Sequence, residues 1–290
     1  LVAVSGSLGI IIPPSIPYIM YCNASGASIS ELFLAGFLPG VLIALCLMVY
    51  SYIYCKIHGE DKDKLNAKCM ELRAKGLGTV LKEGFWALMS PVIILGGIYG
   101  GICSPTEAAT ISIFYSLIVS LFIYRTIKIR DLPKIMLEGI HSYAPILIIL
   151  SAAVAFARVI TLMNVATIVS EAVLSAISSK VVILLLINVL LLFVGMIMDT
   201  GPAILVFTPV LLPVAEAIGV DPIHFGIIMC VNLAIGFVTP PMGANLFVAS
   251  NLSKVSVFDI ARKAVPFILA FLIALLLITF VPQISMFLLQ

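Results

Sequence analysis

The sequence predicts an all-α integral membrane protein, on three observations: charge is scarce, apolar runs reach bilayer length, and strong helix breakers lie inside those runs. Only 10% of the 290 residues are charged, 62% are hydrophobic, and the mean hydropathy is +1.24. A soluble domain carries about 25% charged residues because its surface must be hydrated. This chain cannot make such a surface. Runs at 32–54, 111–124, 146–163, 181–198 and 267–280 approach the roughly 20 residues with which a helix crosses a bilayer. The alternating pattern of an outer-membrane barrel is absent, so the spans read as helices in a lipid bilayer.

Composition also removes several functional classes. Net charge is +2 with no long basic stretch, so nucleic acid is not an expected partner. Cys22, Cys46, Cys55, Cys69, Cys103 and Cys230 show no CxxC spacing and lie far from His58, His141 and His224, which argues against a zinc or disulfide framework. There is no HExxH, no Ser/His or paired-carboxylate arrangement and no Gly-rich Lys-Ser/Thr loop. An enzyme is therefore not expected, and neither is a nucleotide-driven machine. The chain opens at Leu1, inside an apolar, proline-broken segment without the basic start of a signal peptide, and is expected to be a piece of a longer protein.

Charge gathers in three places: Lys56 to Glu83, Arg125 to Lys134, and Lys254 to Lys263. Short Lys/Arg-rich loops stay cytoplasmic, so an even number of crossings separates each pair. Helices near 85–103 and 106–124 satisfy the first interval, with Ser104-Pro105 at the turn. In the second, one helix near 141–162 runs outward and 164–180 lies along the outer interface. A re-entrant hairpin and one further crossing then bring the chain back. The stretch 59–83 reads as a solvated amphipathic helix.

The helix breakers carry the functional signal. GIIIPPS at 9–15 and GFVTPPMGAN at 236–245 share one skeleton, glycine four residues before Pro-Pro, inside apolar segments. Proline in a helix costs about 3 kcal/mol or more, and two together unwind the chain. The freed carbonyls are tolerated at membrane depth only where protein buries them or a wet cavity receives them. They are hard oxygen ligands suited to sodium, while the amino end of the following half-helix suits a carboxylate. Paired breaks of this kind, about 227 residues apart between Pro13 and Pro240, point to an internal repeat and a secondary transporter's midplane site.

GMIMDTGP at 195–202 sits inside another apolar run, and Asp199 is the only acid between Glu171 and Glu216. An acid at depth is costly unless it faces a cavity or a partner. With its turn-forming neighbours it describes the tip of a re-entrant hairpin, arms near 181–197 and 203–217. Glu107 in SPTEAA reads as a helix-capping residue. Arg158 in an apolar helix pairs with an acid, faces an anion or snorkels to the outer surface.

Four of these motifs, GSLGIIIPPSIP at 6–17, GIYGGICSPTEAA at 97–109, MDTG at 198–201, and VNLAIG at 231–236 with its following TPP and NLF, resemble the large membrane subunit of tripartite ATP-independent periplasmic (TRAP) transporters, in the right order along essentially the whole chain. The resemblance implies an elevator-type fold with inverted repeats, two helical hairpins and a scaffold, in a bacterial inner membrane. It implies sodium-coupled import of an organic acid, of the sialic acid or C4-dicarboxylate type. The implied partners are a small membrane subunit, a periplasmic substrate-binding protein and the N-terminal remainder of the large subunit.

By the same resemblance one sodium site uses Gly9, Ile12 and Pro13, completed by serines of a first hairpin that precedes this chain. A second uses Gly195, Gly236, Thr239 and Met242, largely through carbonyls. Asp199, Thr200 and Asn245 face the substrate cavity, with Gly201 and Ser15 beside them. Residues 1–55 then end the first repeat and 56–85 form a cytoplasmic connector. Scaffold helices occupy 86–180, the hairpin and second broken helix 181–253, and a terminal scaffold helix 254–290. Without the first hairpin this piece alone is not expected to transport. A single-component sodium/carboxylate symporter and an ion channel remain as alternative readings.

Overall fold

A computed structural model describes residues 1–59, 69–70 and 76–289. Among them there is helix and no strand, and seven helices are long and apolar enough to cross a membrane. The chain is an all-α integral membrane protein. It divides into two compact units, Leu1–Tyr50 with Ile146–Gln290, and Ser51–Pro145.

The first unit opens with α1 (Val2–Ser5) and a 3-10 turn (Gly6–Ile10), breaks at 11–15, and resumes as α2 (Ile16–Ser25). The following α3 (Ile29–His58) extends beyond it. After α6 (Leu132–Leu162), which enters from the second unit, come α7 (Val165–Ala176), α8 (Lys180–Ile197) and α9 (Thr200–Ala217). The unit closes with α10 (Pro222–Gly236), α11 (Ala244–Ser253), α12 (Val257–Phe280) and α13 (Gln283–Met286).

Its axis is α10, buried at every position from Ile223 to Gly236. A helix apolar all round has no solvent face, so its neighbours must enclose it; α8, α9, α2 and α12 do so. Fifteen residues rise only about 22 Å, short of the ~30 Å hydrocarbon layer. Each Pro-Pro pair falls in a break followed by a ten-residue helix, α2 and α11, and both Pro13-Pro14 and Pro240-Pro241 are cis.

α8 and α9 form a helical hairpin. Asp199 caps α9 with its own carboxylate, Oδ1 accepting from the Thr200 amide at 2.8 Å. At the other end Lys180 Nζ donates to the Gly219 carbonyl at 3.0 Å. The chain therefore leaves the tip and returns to the level at which α8 began. The second arm starts at Thr200 rather than 203, because the cap lets helix resume at once and Pro202 falls in the first turn, where no amide is missed.

In the second unit, α4 (Leu77–Tyr99) and α5 (Pro105–Ile118, continued by a π-turn at Val119–Ile123) form an antiparallel pair. Tyr115 Oη donates to the Trp86 carbonyl at 2.7 Å and Tyr124 Oη to that of Glu83 at 2.6 Å. Most of the stretch expected as a surface helix at 59–83 lies outside the described residues; its end, from Leu77, belongs to α4. The helix expected at 141–162 starts at Leu132, Pro145 being absorbed within it.

Ser104 and Glu107 cap α5 reciprocally: the Glu107 amide donates to Ser104 Oγ at 3.4 Å and the Ser104 amide to Glu107 Oε2 at 2.8 Å. Ser104→Ala is expected to cost about 1 kcal/mol in detergent melts of the full-length protein and to leave transport intact. Over the apolar windows of Gly78–Tyr99 and Pro105–Ile123 only 6% and 11% of residues are buried within the chain, against 56% for Thr200–Ala217. Lipid or other protein must cover those faces, since water cannot.

Candidate functional site

Five of the predicted residues meet around one cavity. Gly195, Asp199, Thr200, Gly236 and Met242 line a space of about 310 Å³ together with Met198, Leu233, Phe237 and Ala244. This falls at the lower end of the roughly 300–1,000 Å³ of small-molecule sites. No Lys, Arg or His is among the lining residues.

Four helix ends converge there. α8 ends at Ile197 and α10 at Gly236, presenting carbonyls; α9 begins at Thr200 and α11 at Ala244, presenting amides. Each terminus carries about half an elementary charge, negative at the carbonyl end and positive at the amide end. Some carbonyls are already engaged: Met196 O accepts from the Met242 amide at 3.1 Å, and Phe237 O from the Asn245 amide at 3.0 Å. The first bond holds the second break against the end of α8, and the second closes the break on itself.

Gly195 and Gly236 have a packing role besides. A Cβ on Gly236 would overlap the carbonyl group of Gly195, and one on Gly195 would lie 3.2 Å from Leu233 Cα. The α8–α10 crossing is therefore backbone on backbone, which only glycine allows. Thr239 stands just beyond the cavity lining, in the break, its Oγ1 donating to Ile235 O at 2.8 Å in the last turn of α10. Gly201 packs on Met20, whose Sδ would be 3.0 Å from an added Cβ.

The first break is a separate place. Pro13 is buried, Ile12 is partly exposed and stands against Gly40 of α3, and Gly9 has open space where a side chain would be. Ser15 is the cap of α2, accepting from the Tyr18 amide at 3.5 Å and donating to Ile10 O at 2.5 Å. Its hydroxyl thus repairs one bond the prolines cost. Asn245 links the two breaks: Nδ2 donates to Ala3 O at 3.1 Å and to Ser7 Oγ at 3.2 Å. The structure brings Asn245 to the first broken segment, while its neighbour Ala244 lines the cavity. Arg158 is exposed on α6.

A buried polar chain escaped the sequence reading. Asn232 Nδ2 donates to Asn188 Oδ1 at 2.6 Å and to Ile228 O at 2.8 Å, and Asn188 Nδ2 donates to Thr279 Oγ1 at 3.1 Å. It ties α10, α8 and α12 together. The available signal was Asn188, the single amide in the apolar run 181–194. Asn188→Leu is expected to cost about 1–2 kcal/mol by stranding its buried partners. Asn188→Leu with Asn232→Leu should recover part of that loss in the same melting assay.

A multi-pass membrane protein with two proline-broken helices and a hairpin tip closed on one cavity is the class that these elements define. The chain belongs to the family of the tripartite ATP-independent periplasmic transporter, DctM component, which it matches over residues 1–284. It is 44% identical over 290 residues to the isethionate TRAP transporter permease protein DctMQ of Oleidesulfovibrio alaskensis, covering 99% of this chain and 44% of that protein. It is 38% identical over 282 residues to the C4-dicarboxylate TRAP transporter large permease protein DctM of Pseudomonas aeruginosa, covering 97% and 65%. To the sialic acid TRAP transporter large permease protein SiaM of Vibrio cholerae it is 35% identical over 288 residues, covering 99% and 66%. The chain thus spans less than two thirds of the length of each of these three relatives. With this family and its apolar helices, it is a multi-pass inner-membrane protein and not an enzyme.

Proposed function

We propose that the full-length protein imports an organic acid anion with sodium, and that the cavity beneath the hairpin tip is where cation and anion meet. The observation that carries this reading is the cavity's charge arrangement. Two carbonyl-bearing helix ends and Asp199 favour a cation, two amide-bearing ends favour a carboxylate, and no cationic side chain lines the space. An anion entering without a cation would meet Asp199 unshielded, so sodium bound first lowers the cost of its entry.

Gly195, Gly236, Thr239 and Met242 would hold one sodium ion, and Gly9, Ile12 and Pro13 a second with serines from elsewhere in the full-length protein. Asp199, Thr200, Gly201, Asn245 and Ser15 form or support the anion site. The substrates named for the relatives, isethionate, C4-dicarboxylate and sialic acid, are all organic acids, which supports the substrate class. Isethionate carries a sulfonate in place of a carboxylate, and helix amides suit either group. By the same kinship a small membrane subunit and a periplasmic binding protein complete the transporter.

Transport follows an elevator course, with the hairpin and broken helices at 1–55 and 181–253 moving as a body against the helices of 86–180. The bonds from Asn188 and His224 to Thr279 support moving α12 with that body rather than with the scaffold, since sliding would break buried hydrogen bonds. Uptake by the reconstituted full-length transporter in sodium-free buffer tests the coupling. It is expected to fall to background, and undiminished uptake overturns the proposal.

A further inference from the structure

We propose that the base of the hairpin, at the far end of α8 and α9 from the tip, binds the headgroup of an aminophospholipid. A second cavity, of about 320 Å³, opens there between Lys180, Gly219, Asp221, His224, Thr279 and Phe280. These residues mark the start of α8, the end of α9, the start of α10 and the end of α12. The tip of the hairpin lies at membrane depth and its base is the opposite end of the 18-residue arms, about 27 Å away, so the cavity lies at headgroup depth.

Its rim offers two charged partners, with a buried histidine behind them. Lys180 is exposed and gives one ammonium donor to Gly219 O at 3.0 Å, which leaves two more donors and the full charge. Asp221 accepts from the Ile223 amide at 2.8 Å and the His224 amide at 3.4 Å through a single oxygen, Oδ1. Its negative charge remains at the rim. His224 is only 2% exposed, and its Nε2 lies 3.4 Å from the Thr279 carbonyl. A carbonyl only accepts, so Nε2 carries the proton and Nδ1 is a bare acceptor. Nδ1 has no protein partner among the described residues, a costly state for a buried polar atom.

One cation and one anion at the rim, beside the aliphatic Val181 and Leu184, fit a phosphate next to an ammonium group on a lipid. The phosphate meets Lys180, the ammonium neutralises Asp221, and the acyl chains lie along the apolar wall. A phosphatidylglycerol headgroup brings the phosphate but no cation for Asp221. The tip cavity uses none of these residues, so this site does not depend on the transport reading.

The test is native mass spectrometry of the full-length protein, equilibrated in detergent with equimolar phosphatidylethanolamine and phosphatidylglycerol. The ethanolamine lipid is expected to be retained about fivefold over the other, the worth of one partly exposed charge contact. Asp221→Asn, which still caps α10, should abolish that preference, and Lys180→Ala should weaken both lipids alike. Free O-phosphoethanolamine should not displace the lipid. Equal retention of the two lipids, a preference that survives Asp221→Asn in protein of unchanged melting temperature, or displacement by the free headgroup each overturns the proposal.

Discussion

Gly236→Ala is expected to remove the folded core of the full-length protein, lowering its yield and melting temperature more than any other single methyl discussed above. The added Cβ would overlap the carbonyl group of Gly195 and lie 2.8 Å from Gly195 Cα. Neither is a side chain that can swing aside. Inserting a methyl into a packed core typically costs 1–3 kcal/mol. Backbone on both sides of this crossing sets the expected loss above about 3 kcal/mol, because α8 or α10 must shift as a whole.

Two companion substitutions separate packing from ion binding. Gly195→Ala meets Leu233 Cα at 3.2 Å and should be intermediate in melting. Gly9→Ala meets nothing within 4 Å, so its melting temperature should match the parent. Any loss of sodium-dependent uptake in Gly9→Ala therefore reports on the cation and not on packing. Full stability in Gly236→Ala would show that the α8–α10 crossing is looser than described.

Asp199→Asn should lower the apparent sodium affinity of uptake, by up to about fivefold, while leaving the protein folded. Asn caps a helix about as well as Asp, so the bond to the Thr200 amide survives and α9 is retained. What disappears is the one full negative charge in the cavity lining. Asp199 is exposed, and a contact between a cation and an exposed carboxylate is worth about 0.2–1 kcal/mol, that is, up to about fivefold. A sodium titration of uptake by the reconstituted transporter reads this directly. An unchanged sodium dependence would show that the Asp199 charge does not assist the cation and leave it a capping role.

Much of this architecture could be read from particular residues. Pro13-Pro14 and Pro240-Pro241 forced two breaks, because no helix survives paired prolines at depth. Asp199 with Gly201 and Pro202 marked the hairpin tip, and Ser104 with Glu107 marked the start of α5. All four are local effects, decided within a few residues. Asn188, Asn232 and Thr279 were not legible as a group. Each reads alone as a stray polar residue, and their meeting depends on how α8, α10 and α12 pack.

The same division holds at the site. Composition and breaker spacing alone determined that this is a helical membrane protein with two unwound segments, since hydropathy and proline stereochemistry need no knowledge of the partner surface. Tertiary structure decided which of the candidates share a cavity. It put Gly195 and Gly236 in contact across 41 residues of sequence, gathered Asp199, Thr200 and Met242 around them, and drew Asn245 to Ala3 and Ser7. Such choices rest on close packing between elements distant in the chain, which no periodicity within one element encodes.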